Sequence, residues 1–318
     1  MSVTFSGGGV TISGGGWTLE APPASKKAIF GYGTSTGSND LSITNLVSNT
    51  GVVATDTTGV GTVRQLLAAA GYGGDKAIFG YGNDNTGEIL YSMTNLVSST
   101  GVVATDTSGV GTARTALAAA GYGTDKAIFG YGRTNPSVTP VSMTNLVSNT
   151  GVVATDTTGV GTARFNIAAA GYGTDKAIFG YGISSGVDRS MTNLVSNTGV
   201  VATDTTGVGT ARNGLAAAGY GTDKSIFGYG YDSTNVLSMT NLVSNTGVVA
   251  TDTTGVGTAR RLLAAAGYGI DKAIFGYGLD VNFTRVSMTN LVSNTGVVAT
   301  DTTGVGTGRN NLAAASYG

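Results

Sequence analysis

Neither cysteine nor histidine occurs in the chain. The first absence excludes a disulfide framework, a thiolate nucleophile and a zinc–sulfur centre. The second excludes an imidazole base, a Ser-His triad and an imidazole metal ligand. Proline appears four times, and charged residues make up 11% of the chain, against about 25% in an ordinary soluble domain. Lys plus Arg total 17 and Asp plus Glu 18, for a net charge of −1. That balance excludes the basic surface a nucleic-acid partner requires. Apolar runs such as Leu66–Ala70 stop at Gly-Tyr-Gly, far short of the roughly 18 residues of a membrane span, so no membrane insertion is expected. The first residues, Met1-Ser-Val-Thr-Phe-Ser-Gly, have neither the basic nor the apolar region of a secretory signal.

What the chain has instead is repetition. Lys-Ala-Ile-Phe-Gly-Tyr-Gly begins at Lys27, Lys76, Lys126 and Lys176, recurs at Lys224 with Ser225 in place of Ala, and returns at Lys272; the spacings are 49, 50, 50, 48 and 48 residues. Each repeat holds four short segments, in the third copy A (Leu117–Gly123), B (Lys126–Gly132), C (Ser142–Ser148) and D (Val152–Asp156). Asn-Thr-Gly and Gly-Thr-Asp between them are hairpin signals, and no segment sustains a helical period. Four strands in a unit of about 40 to 50 residues predict a propeller blade. The first repeat starts at B and the last stops after A (Leu312–Gly318), so the two ends complete one blade and hide the edges an open array exposes. The expected fold is all-β: a six-bladed β-propeller of four-stranded antiparallel blades over 27–318, closed by the C-terminal strand, after a Gly-rich arm over 1–26.

The run Arg114-x-x-Leu-Ala-Ala-Ala-Gly-Tyr-Gly-x-Asp-Lys-Ala-Ile-Phe-Gly-Tyr-Gly resembles the kelch pattern: an Arg, a small-residue strand, a turn, and an apolar strand ending in a glycine pair. It departs in the interposed Tyr131 and in lacking a late Trp; Trp17 lies outside the repeats. The near-identical copies, with the Gly-rich Thr11-Ile-Ser-Gly-Gly-Gly-Trp17, are similar in style to repetitive bacteriophage tail and virion proteins. That likeness implies a structural and receptor- or glycan-recognising component of a virion, with no signal peptide.

Identical copies in one chain also act as a control on each other. Two places differ between them. One is the B–C loop: Thr34–Leu41, Asn83–Tyr91, Arg133–Val141, Ile183–Arg189, Tyr231–Leu237 and Leu279–Val286. The other is the pair after the repeated Arg: Gln65-Leu66, Thr115-Ala116, Phe165-Asn166, Asn213-Gly214, Arg261-Leu262 and Asn310-Asn311. Alternating strand direction puts both on one face and the constant turns on the other. Loops on a rigid scaffold commonly carry recognition, and neutral drift is the competing explanation. The residues suited to binding are Asp84, Tyr91, Arg133, Asn135, Phe165, Asn166, Asp188, Arg189, Tyr231, Asp232, Arg261, Asp280, Phe283 and Arg285, since aromatics stack on apolar faces and Arg, Asn and Asp direct hydrogen bonds. The six-fold Arg64, Arg114, Arg164, Arg212, Arg260 and Arg309 read as a stabilising element, because catalysis needs groups in unequal roles. No catalytic residue, metal or cofactor is expected. A sialidase-like glycan-processing enzyme and an intracellular kelch-like scaffold are the alternatives. The arm, with Val3 to Phe5 and Val10 to Ile12 alternating like strands, is expected to attach to other virion subunits; a homo-oligomer is consistent with it.

Overall fold

The computed structural model describes residues 25–134 and 139–318, together with the backbone of a hairpin that pairs Val10–Ser13 with Gly16–Leu19. Six antiparallel sheets of three strands recur along the chain. In the third sheet the inner strand is Ala118–Tyr122, the middle Lys126–Gly130 and the outer Thr144–Val147. Ala118 faces Gly130 and Tyr122 faces Lys126 across a three-residue turn, while Ala127 faces Val147. Among the described residues the only helical element is a 3₁₀ turn at Thr36–Ser38.

Segment D differs from expectation. It is not a regular strand but two bridges, Val147 to Val153 and Thr144 to Thr157. Three steps on the outer strand answer four in D, so one residue is extra. This is a bulge, and it interrupts the ladder. The sheets are therefore three strands plus a bridged edge.

The first sheet is drawn from both ends of the chain. Ala313–Tyr317 is its inner strand, paired with Lys27–Gly31 from Ala313 opposite Gly31 to Tyr317 opposite Lys27. The inner strands neighbour one another in sheet order, and that of the first sheet neighbours those of both the second and the sixth. Small residues make this convergence feasible: a Cβ on Gly121 would stand 3.3 Å from the carbonyl oxygen of Gly71.

The core lies between sheets. Phe79, Phe129, Phe179, Phe227, Phe275 and Phe30 each pack on a tyrosine of the preceding sheet with centroids 5.1 Å apart, the last on Tyr277 of the sixth sheet. Each buried Phe contributes about 2–3 kcal/mol by area.

The connectors are held by a buried arginine. Arg114 donates from Nε to the Tyr131 carbonyl (3.0 Å), from Nη1 to that of Thr112 (3.2 Å) and from Nη2 to Asn145 Oδ1 (2.6 Å), and its guanidinium lies 4.4 Å from the Tyr81 ring of the sheet before. Asp156 accepts from Asn145 Nδ2 (2.9 Å) and from Thr112 Oγ1 (2.6 Å). The same set spans the chain ends: Arg309 donates to Asn45 and Thr307 to Asp56.

Candidate functional site

The two variable places meet. The first residue after each buried arginine bridges the first residue of a B–C loop in its own sheet: Gln65 with Asn83, Thr115 with Arg133, Phe165 with Ile183, Asn213 with Tyr231, Arg261 with Leu279 and Asn310 with Thr34. Both places lie at one end of the sheets, as strand direction requires.

The second residue of each pair closes a ring. Leu66 N donates to Asn311 O, Ala116 N to Leu66 O, Asn166 N to Ala116 O, Gly214 N to Asn166 O, Leu262 N to Gly214 O and Asn311 N to Leu262 O, at 2.6–3.0 Å. All six have φ between +51° and +59°. Only Gly214 and the asparagines suit that region readily, so this constraint was invisible at Leu66, Ala116 and Leu262. A cavity of about 80 Å³ lies under the ring. At the other end a second ring runs from Gly73 N to Asp125 O and on around to Gly318 N and Asp75 O, at 2.7–2.8 Å. It borders a cavity of about 260 Å³ among the constant turns.

The first residues reach the next sheet as well. Thr34 Oγ1 lies 2.8 Å from Gln65 Oε1. Thr115 donates from Oγ1 to Asn83 Oδ1. Arg133 sits 5.2 Å from the centroid of Phe165. Asn213 Nδ2 donates to Asp188 Oδ1 at 2.7 Å. Arg261 lies 4.7 Å from the Tyr231 centroid, and Arg285 Nε donates to Asn310 Oδ1 at 2.8 Å. Each junction between successive sheets thus carries a pair of this kind, and no two of these six pairs are the same.

The expected binding residues divide accordingly. Arg133, Phe165, Asp188, Tyr231, Arg261 and Arg285 face one another in these pairs, and Phe165 is nearly buried. Burial also lowers the pKa of Arg133. Asn166 lines the backbone ring. Asp84, Asp232 and Asp280 cap their own loops, accepting from Ile89 N, Asn235 N and Thr284 N respectively. Asp232 and Asp280 also accept from Thr234 N and Asn282 N, two residues on, which makes each an Asx-turn. Tyr91 is half-buried at a loop end, and its carbonyl accepts from Arg114 N. Arg189 is half-buried, with Nε lacking an acceptor. Asn135 lies outside the described residues. Phe283 is 69% exposed with Val281 exposed on the same loop, and Ile89 and Val187 stand exposed on two other loop tips.

The six repeated arginines are wholly buried, so none offers its guanidinium to an outside anion. Burial pushes up the pKa of their partner carboxylates, Asp56, Asp106, Asp156, Asp204, Asp252 and Asp301; hydrogen bonds from Thr and Asn outweigh it and hold them below the usual value. Asp40 is the opposite case. Burial raises it to about 6, against a hydrogen bond from Thr34 and with nearby Asp84 adding to the rise.

Among the described residues no group of three carboxylates gathers to hold a metal ion, and no helix is long and apolar enough to cross a membrane. No family model matches the chain, and no curated protein is significantly similar to it. The kelch likeness is therefore one of pattern.

Proposed function

We propose that the chain is a six-bladed β-propeller that works as a non-enzymatic recognition scaffold, gripping its target with the tips of the B–C loops. The closed succession of inner strands and the two backbone rings support the propeller. The observation that carries the function is the confinement of variation: one end of the six sheets differs copy by copy, while the opposite turns repeat almost unchanged. The paired residues near the ring are occupied, which leaves the exposed tips, with Ile89, Val187, Val281 and Phe283, as the contact surface. Apolar tips flanked by Asn, Thr and Ser suit a glycan face or a host surface protein. The virion setting belongs to the same proposal and rests on the repetitive style of the sequence, as does the role of residues 1–26 as an attachment arm to other virion subunits.

The test is binding to a panel of bacterial cells and glycans, beside a version with Gly/Ser at the tips 36–38, 86–89, 185–187, 233–235 and 281–283. Loss of binding at unchanged melting temperature supports the reading. Equal binding by both versions, or none by either, overturns it.

A further inference from the structure

Six near-identical repeats pose a problem of partner choice. Their shared layers, the Phe–Tyr contact, the buried Arg and its Asn and Asp, fit any sheet to any other. Nothing in those layers tells the third sheet to sit against the fourth rather than the sixth, or the last against the first of its own chain rather than of a second copy. Identical interfaces favour domain swapping, since an exchanged element makes the same contacts in either chain.

We propose that the variable pairs are a matching code between neighbouring repeats, which directs each sheet to its proper neighbour and closes the ring within one chain. The six pairs differ in chemistry: Thr34 with Gln65, Asn83 with Thr115, Arg133 with Phe165, Asp188 with Asn213, Tyr231 with Arg261 and Arg285 with Asn310. Wrong pairings are penalised. The third loop against the sixth connector sets Arg133 against Arg261, two guanidinium groups in a half-buried place. The fourth loop against the fourth connector of a second chain sets Asp188 against Phe165, stripping a carboxylate of its donor. Discrimination by such mismatches is the general route to specificity among similar partners. The closing junction has its own pair, Arg285 with Asn310, so the last repeat carries the means to recognise the first. This accounts for variation next to the backbone ring, where an outside target would reach side chains already engaged.

The fifth junction provides the test, because Tyr231 and Arg261 are only half-buried. In the full chain, Tyr231→Arg sets two guanidinium groups together and lowers Tm by about 2–4 °C. Adding Arg261→Phe recreates at this junction the chemistry of Arg133 with Phe165, and Tm returns to the native value. The third and fifth junctions then share one code. After refolding from denaturant at high protein concentration, light scattering on a sizing column should show a severalfold rise in swapped oligomers over the native chain. Failure of the second change to restore Tm overturns the matching. A restored Tm with refolding as cleanly monomeric as the native chain overturns the code, since the pairs then stabilise without discriminating. A Tyr231→Arg chain as stable as the native one also overturns it.

Discussion

Burying a guanidinium is costly unless its donors find acceptors, and Arg114 is held by two carbonyls, an amide oxygen and an aromatic face. Arg114→Ala leaves Asn145 Oδ1 without its donor, takes the positive charge away from beside Asp156 and opens a void, so thermal or denaturant unfolding should show a loss of about 3–5 kcal/mol. Arg114→Lys should recover only part of it, because an ammonium cannot form the planar fork. Asp40 gives a signed pH dependence. Its folded pKa of about 6 lies above its ordinary value of 3.8, so the folded chain binds its proton more firmly. Its contribution is complete below pH 3.8, falls as pH rises through about 6, and is absent above. Asp40→Asn should remove that slope between pH 4 and 6 and leave the chain more stable at pH 7 by about 1 kcal/mol, after discounting for the half-exposed site. The six connector carboxylates act in the other window. Their pKa values are lowered, so their contribution is present above the unfolded value near 3.9 and is lost as pH falls below it.

At the scale of the strand, packing between sheets sets the sequence. The glycine that ends each middle strand marks where a neighbouring phenylalanine approaches: a Cβ on Gly130 would stand 2.8 Å from Phe179 Cζ and 3.1 Å from Thr144 Cγ2. Gly130→Ala therefore forces two packed sheets apart, and a cost of about 1–3 kcal/mol should appear as a lower Tm. The inner and middle strands were legible from Ala-Ala-Ala-Gly-Tyr and Lys-Ala-Ile-Phe-Gly, because small residues, β-formers and turn glycines agreed there. Segment D was not legible as a bulge, because one extra residue in a pairing is a property of two segments together and Val152-Val153-Ala154 alone reads as an ordinary strand.

For the whole molecule the decisive contacts join residues near the two ends of the repeat array. Removing Asn310–Gly318 takes away the inner strand of the first sheet, a link from each backbone ring and the acceptor of Arg285 at Asn310. The truncated chain should lose several kcal/mol in Tm measurements, and the amides of Lys27–Gly31 should lose protection from hydrogen exchange. An unchanged Tm would contradict closure. The same deletion exposes the edge of Lys27–Gly31, so the truncated chain should also associate on a sizing column.

By itself the sequence determined the repeat unit, its all-β character, the pairing of last strand with first, and the end of the sheets on which the copies differ. All of these follow from local pattern and strand direction. The tertiary structure alone decided what the differing residues do. Phe165 reads as an exposed aromatic until Arg133 of the preceding sheet is seen to cover it, and Leu66 gives no local sign of a left-handed backbone until its amide meets the carbonyl of Asn311. Residues 246 positions apart cannot be matched by local pattern; only the return of the last strand to the first sheet, beside the second, brings them within hydrogen-bonding distance, as when Asn311 Nδ2 reaches Gln65 Oε1 at 2.6 Å.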